Sequence, residues 1–286
     1  MNELVINFTP NGMLPTKKMT PHVPISPEEI VRDVLEACEL GITMVHLHAR
    51  EIDTGSPTYK KNLYAEIIQG IRKYAPDLIV GVSLSGRDFS EFDKRSEPLD
   101  LTGELKPDTG SLTLSSLNFN KQASINTPQM ITDLAKKMLK NKIKPELEAF
   151  DAGMINYAKY LMTKRILVPP FYCNLLLGNI ACAQADLLHA GMMVRDLPEE
   201  TVWSIGGIGN SQLPMNSMAI SVGGGVRVGL EDNIWFDKER TQLAKNIDLI
   251  RRIHRLAEAN ERLIMPPSKL RKILDLEEGH GKYGSR

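Results

Sequence analysis

Eight short apolar runs, separated by longer amphipathic or polar stretches, recur from one end of this chain to the other. The strand candidates are residues 4–8, 44–48, 79–84, 111–115, 145–150, 171–177, 202–205 and 226–230. Helical periodicity lies between several of them, at residues 26–40, 63–74, 128–141 and 240–260. Eight strand–helix units in one chain predict an α/β protein with the (β/α)₈ TIM-barrel fold.

The length of the chain fits a single domain of this kind. Its 286 residues are close to the roughly 250 typical of such barrels, and no linker rich in proline, glycine or serine divides it. We expect residues 1–265 to form one catalytic barrel and residues 266–286 to form a C-terminal tail, which could pack on a neighbouring subunit. The longest irregular segment, residues 86–107, is typical of a lid or a subunit contact.

The charge balance argues against several classes of partner. The 35 basic and 35 acidic residues cancel, so no net field attracts nucleic acid or an anionic membrane. The N-terminus lacks a signal-peptide pattern, and no apolar run approaches the ~20 residues of a membrane helix. We therefore expect a cytoplasmic protein. The three cysteines are widely spaced and are expected to be reduced.

Two polar clusters stand at opposite ends of the chain. His46, His48 and Arg50 occupy alternate positions of the second predicted strand and therefore share one face. Glu231 and Asp232 follow the eighth strand, and strands two and eight both flank strand one in a closed barrel. Two histidines and one distant carboxylate predict a His₂Glu site for a catalytic Zn²⁺ or another divalent cation. The alternative is that the histidines are satisfied core residues.

Arg227 lies on the eighth strand, four residues before Glu231. A structural ion pair of Arg227 with Glu231 or Asp232 is one interpretation. The other is that Asp232, adjacent to a metal ligand but of opposite strand parity, is a general base near the metal.

Further polar residues follow the middle strands. Hydroxyl groups recur at every second position, including Ser83, Ser85 and Thr113, and either line the barrel mouth or bond to backbone. Glu146 and Glu148 share one face of a buried strand, where two carboxylates require nearby cations or protons. We expect Glu148, which is nearer the mouth, to meet Arg50, Arg227 or the metal.

These residues together resemble one known family, the β-keto acid cleavage enzymes, whose founding activity is 3-keto-5-aminohexanoate cleavage. The resemblance is nearly full length and rests on Thr9-Pro10-Asn11-Gly12, Pro24-Ile25-Ser26-Pro27-Glu28-Glu29-Ile30, His46-Leu47-His48-Ala49-Arg50, Pro145-Glu146-Leu147-Glu148-Ala149-Phe150-Asp151 and residues 225–232. It implies a Zn²⁺-dependent acyltransferase that converts a β-keto acid and acetyl-CoA into acetoacetate and a new acyl-CoA. It also implies a homo-oligomer, a dimer or a tetramer.

The resemblance assigns roles residue by residue. The metal ligands would be His46, His48 and Glu231. The base would be Asp232, supported by Arg227, and the further catalytic residues would be Ser83, Thr113 and Glu148.

One departure from the family pattern bears on the substrate. Family members that act on the aminated acid carry a carboxylate in the first loop, where this chain has Leu14. Arg87 adds a cation outside that pattern, and Arg50 and Ser85 complete the expected substrate-binding set. Positive charge there suits CoA phosphates or a substrate carboxylate, so we expect a β-keto acid with a neutral or anionic tail.

Two other functions remain open on the sequence. The first is a CoA-independent zinc aldolase or lyase, or a metal-dependent hydrolase, on the same barrel. Amidohydrolases need further histidines on later strands, whereas His22, His189, His254 and His280 are expected in loops, helices or the tail. The second is a metal-stabilised binding protein without activity, against which the presence of both Arg227 and Asp232 argues.

Overall fold

The eight predicted strands close into one parallel barrel, which confirms the predicted fold. A computed structural model describes residues 3–278 of the chain. Its strands are β1 (Ile6–Phe8), β2 (Met44–Leu47), β3 (Ile79–Val82), β4 (Thr109–Thr113), β5 (Leu117–Asn118), β6 (Ala123–Ser124), β7 (Lys144–Ala149), β8 (Phe171–Leu177), β9 (Thr201–Gly207) and β10 (Gly225–Val228). Around the barrel the order is β1, β10, β9, β8, β7, β4, β3 and β2, and β5 pairs with β6 as a separate antiparallel hairpin.

Helices surround the barrel and cover its apolar outer face. They are α1 (Pro27–Leu40), α2 (Lys61–Arg72), α3 (Phe92–Ser96), α4 (Pro128–Lys140), α5 (Ala152–Thr163), α6 (Leu187–Asp196), α7 (Gln212–Ser221), α8 (Asn246–Ala259) and α9 (Pro267–Ile273). Ser26 and Glu29 form a capping box at the start of α1, as their spacing indicates. The helix expected from residue 240 begins at Asn246, because the Asp237 carboxylate accepts hydrogen bonds from the backbone of residues 241 and 242 and holds a turn there.

Strand register brings the two polar clusters together. β1 pairs with β10 on one side and with β2 on the other. The ends of β2 and β10 therefore lie on either side of β1, and the segments that follow these two strands both leave the barrel at its carboxyl end. In barrels of this class the active site forms at that end.

The segment of residues 86–107 is more ordered than its composition predicts. It contains α3 and two short 3₁₀ turns. Arg95 of α3 is buried and donates to the backbone oxygen of Leu84 and to Asn126 Oδ1. The hairpin formed by β5 and β6 follows β4 and was not predicted, because two-residue strands leave no periodic signal.

The predicted tail begins with a helix that belongs to the barrel of its own chain. Leu270 and Leu274 at α9 are fully buried beneath the amino ends of the strands. Arg271 forms an ion pair with Asp108 at 2.8 Å. The boundary expected at residue 265 therefore divides a packed unit. The end of the tail, residues 279–286 with His280, lies outside the described residues.

None of the helices within residues 3–278 combines the length and the apolar character needed to span a membrane.

Candidate active site

Both histidines and the glutamate of the predicted metal site meet at the mouth of the barrel. His46 and His48 lie at the end of β2, and their Nε2 atoms are 3.1 Å apart. Glu231, four residues after Arg227 of β10, places Oε1 3.1 Å from His48 Nε2. One potential ligand atom from each of the three residues lies within 4.8 Å of the others. The sequence-predicted ligands therefore converge.

Glu146 fixes the orientation of His46. Its Oε2 lies 3.0 Å from His46 Nδ1, and its Oε1 accepts hydrogen bonds from the side-chain amides of Asn7 and Asn174. A carboxylate on one ring nitrogen directs the lone pair of the other nitrogen toward the cavity, as in many metal sites. The group expected beside Glu146 to balance its charge is thus the imidazole of His46. That Glu146 orients this imidazole could not be predicted from the sequence.

The two imidazoles lie in different electrostatic surroundings. Burial disfavours the charged form of His46, but the Glu146 and Glu231 carboxylates outweigh it and raise the pKa to about 9. Burial dominates at His48 and lowers its pKa to about 4 despite the nearby Glu231. A cation bound at both Nε2 atoms would compete with the proton of His46.

The backbone of Gly12 packs directly against Glu231. Gly12 has φ = +60°, a backbone conformation that residues other than glycine disfavour. A Cβ atom at this position would overlap the side chain of Glu231. Gly12 therefore leaves the space that Glu231 needs to reach the histidines.

The donor set fits a divalent cation. Glu231 Oε2 is buried and has no hydrogen-bond partner within residues 3–278. Two nitrogens and one carboxylate with an open side toward a cavity are the ligands of catalytic zinc sites, although other divalent cations share them.

Arg227 lies among three carboxylates. Its Nη2 is 2.7 Å from Glu231 Oε1, its Nε is 3.0 Å from Asp232 Oδ2, and its Nη1 is 3.5 Å from Glu148 Oε1. Both ion pairs considered from the sequence are therefore present, and they line the cavity. Burial raises the pKa of Asp232 to about 6 although Arg227 opposes the shift. Burial likewise raises the pKa of Glu148.

Thr113 and Glu148 are neighbours on paired strands. Their positions on β4 and β7 are directly opposite, and Thr113 Oγ1 donates to Glu148 Oε2 at 2.7 Å. Ser83 and Ser85 follow β3 and line the same cavity.

Arg50 does not line the cavity with the other expected substrate-binding residues. Its guanidinium is buried and donates to the backbone oxygens of Gly12, Pro15 and Gly55. Those bonds satisfy N–H groups of the guanidinium and hold the loop after β1, whose Leu14 does line the cavity. Arg50 thus acts as a positioning residue for the loop.

The hairpin of β5 and β6 forms a wall of the cavity that the sequence did not reveal. Leu117, Phe119 and Ser124 line the cavity from this hairpin. The Arg87 guanidinium lies 3.8 Å from the centroid of the Phe119 ring. The cavity encloses about 110 Å³.

Comparisons with known proteins give a matching family and several similar enzymes. A family model described as beta-keto acid cleavage enzyme matches residues 3–276. The chain is 34% identical to the 3-keto-5-aminohexanoate cleavage enzyme of Acetoanaerobium sticklandii, over 97% of this chain and 100% of that protein. It is 32% identical to the 3-oxoadipate:acetyl-CoA acetyltransferase of Cupriavidus necator, over 95% and 94% of the two chains. It is 30% identical to the 3-dehydrocarnitine:acetyl-CoA trimethylamine transferase of Rhizobium meliloti, over 96% and 97%.

Among solved structures, the chain is similar in fold to the apo structure of ObcA. The TM-score is 0.79 at 18% sequence identity, and the match covers 90% of this chain and 66% of that one. At this identity the likeness shows the barrel fold alone.

Proposed function

The chain belongs to the β-keto acid cleavage enzyme family, and on that premise we propose that it converts a β-keto acid and acetyl-CoA into acetoacetate and a new acyl-CoA. Relatives of similar length are acetyl-CoA-dependent transferases by name. The observation that carries the proposal is the cluster of His46, His48 and Glu231 beside the pair of Arg227 and Asp232.

We propose Zn²⁺ as the resident cation, held by His46, His48 and Glu231. Bound there, it would supply Lewis-acid chemistry that acidifies the C–H bond between the keto and carboxylate groups of the substrate. The orphaned Glu231 Oε2 and the convergent Nε2 atoms support this assignment.

Asp232 is the group best placed to take the proton. Its carboxylate is buried, and a pKa raised to about 6 by that burial suits a base that works near neutral pH. Arg227 holds the carboxylate through Nε and Nη2 and so fixes its direction. Proton transfer to Asp232 would leave the substrate carbon free to attack the acetyl thioester, with loss of CoA thiolate.

The second half of the reaction uses the same residues. The thiolate would attack the original keto carbon, the bond to the neighbouring carbon would break, and Asp232 would return its proton to acetoacetate. Oxyanions form at both carbonyl groups, and a hydroxyl donor such as Ser83 would lower their energy. Glu148 keeps the Thr113 hydroxyl in the cavity wall through their hydrogen bond.

The test is a panel of β-keto acids incubated with the metal-loaded protein, with and without acetyl-CoA. Acetoacetate and the new acyl-CoA are followed by mass spectrometry. The proposal predicts that both products form together and only when acetyl-CoA is present. Cleavage without acetyl-CoA would favour the aldolase, lyase or hydrolase alternative.

A further inference from the structure

Arg87 is a cation of the cavity wall without an acidic partner. Within residues 3–278 it forms no ion pair, and its Nε is buried without a hydrogen-bond partner. The buried arginines near the mouth have partners for their charge or their N–H groups: Arg227 pairs with three carboxylates, although its Nη1 has no hydrogen bond within the described residues, and Arg50 and Arg95 donate mainly to backbone oxygens. The structure therefore leaves one cavity guanidinium available to a ligand.

Phe119 determines how that guanidinium is presented. The ring lies 3.8 Å from the guanidinium carbon, so one face of the planar group is covered. The N–H groups along its edge remain for a ligand, in the fork geometry that matches a carboxylate. Stacking fixes this plane before a ligand arrives, which lowers the entropy lost on binding.

Burial makes an anionic ligand favourable at this position. Arg87 is half-buried, and a partly buried charge without a partner is still costly; this burial lowers the pKa of Arg87 because it penalises the charged form. A ligand carboxylate would relieve this cost, whereas an ammonium group would increase it. Leu14, on the loop after β1, offers an ammonium group no counter-charge.

Resting on the proposed function, we infer that Arg87 binds a second carboxylate at the far end of the substrate, so the preferred substrates are β-keto dicarboxylic acids. The first carboxylate and the keto group would meet the cluster of His46, His48 and Glu231. Arg87 and the cluster line the same small cavity, so one short acid can reach both.

The size of the cavity favours a substrate carboxylate over a phosphate of CoA. Its volume of about 110 Å³ is well below the roughly 300–1,000 Å³ of pockets that enclose drug-sized ligands. A volume of this size suits a small acid that extends toward the mouth better than it suits a nucleotide diphosphate.

The experiment compares three six-carbon acids that differ in the charge of the tail: 3-oxoadipate, 3-oxohexanoate and 5-amino-3-oxohexanoate. For each acid, kcat/KM is measured with acetyl-CoA, and the dissociation constant is measured by calorimetry without it. The proteins are wild type, Arg87→Met, which keeps length but removes charge, and Arg87→Lys, which keeps charge but loses the fork. Lys121→Met is the matched control, since Lys121 is an exposed cation of the hairpin that carries Phe119.

The expected result is that wild type and Lys121→Met prefer 3-oxoadipate. Arg87→Met should lose roughly 10- to 100-fold for 3-oxoadipate, the usual value of a hydrogen bond to a charged group, and little for 3-oxohexanoate. The loss for 3-oxoadipate in Arg87→Lys should lie between that of wild type and that of Arg87→Met. Unchanged melting temperatures establish that the variants are folded.

Other outcomes separate this inference from the proposed function. Equal losses for all three acids, or a selective rise in KM for acetyl-CoA, would overturn the assignment of Arg87 while the reaction stands. If no acid is turned over, the proposed function fails, and the ratio of dissociation constants between wild type and Arg87→Met still decides what Arg87 binds.

Discussion

His46 and His48 show how much two neighbouring residues of one type can differ. His46 is oriented by Glu146 from β7, whereas His48 faces Glu231 across β1. Their Nε2 atoms point toward each other, an arrangement in which at most one proton can lie between them. A cation that accepts both lone pairs would replace this contact with two coordinate bonds.

The histidine assignment predicts the metal content of the purified protein. His46→Ala and His48→Ala should each lose most of the bound divalent cation and the activity, while His189→Ala, in the first turn of α6 and outside the three-residue cluster, should keep both. Elemental analysis after dialysis provides the measurement. Full retention of metal by the double variant of His46 and His48 would show that the cation is bound elsewhere.

A second prediction separates chemistry from metal binding. Asp232→Asn should retain the cation but lose at least ~10²-fold in kcat, which is the usual contribution of a general base. Arg227→Met should behave similarly because it releases the Asp232 carboxylate. Metal content and kcat are measured on the same preparation, and unchanged turnover of Asp232→Asn would make the ion pair a structural one.

The sequence predicted the residues of the site better than their partners. The spacing of His46 and His48 and the acidic pair after β10 predicted the residues that converge at the mouth, because strand alternation and barrel closure are regular. Glu146 reaches His46 across the barrel interior and Arg50 turns toward three backbone oxygens, and no local pattern encodes such choices. They depend on packing between residues far apart in the chain.

At the scale of elements, the strands and the long helices were predictable because their periodicity extends over a full element. The hairpin of β5 and β6 has two residues in each strand, and α3 has five, too few for a periodic signal. These short elements nevertheless carry Phe119 and Arg95, which shape the cavity wall and its support.

Helix α9, which begins the segment expected to be a tail, should contribute to the stability of the barrel. Arg271 and Arg72 both pair with the buried Asp108 beneath the barrel. Because Arg72 remains beside Asp108 when Arg271 is removed, the cost should be about 3 kcal/mol, the lower end of what is typical for a buried ion pair that loses one partner. Arg271→Ala should therefore lower the free energy of unfolding in a denaturant titration by this amount. Lys272→Ala, exposed on the same helix, is the control and should change it by less than about 0.5 kcal/mol.

If Arg271→Ala unfolds at the wild-type denaturant concentration, the ion pair of Arg271 with Asp108 does not contribute to the stability of the barrel.

At the scale of the molecule, one surface bears on the expected homo-oligomer. Leu187, Leu188 and Met192 of α6 are exposed, as is Ile180 of the preceding loop, and exposed apolar groups of this kind often mark subunit contacts. We predict a dimer or a tetramer whose interface includes α6. Light scattering of wild type and of Leu188→Glu tests this, with Val222→Glu, also exposed but at the end of α7, as the control.

A monomeric mass for wild type would contradict the prediction of an oligomer, and a Leu188→Glu variant that assembles normally would place the interface away from α6.

The most direct test of the whole account follows one carbon atom. Acetyl-CoA labelled with ¹³C at the acetyl carbonyl is incubated with the protein and its preferred unlabelled β-keto acid. The label is expected at C3 of acetoacetate and not in the acyl group of the new acyl-CoA, because the acetyl carbonyl becomes the keto carbon of the product. Acetoacetate without label, or label in the new acyl group, would contradict it.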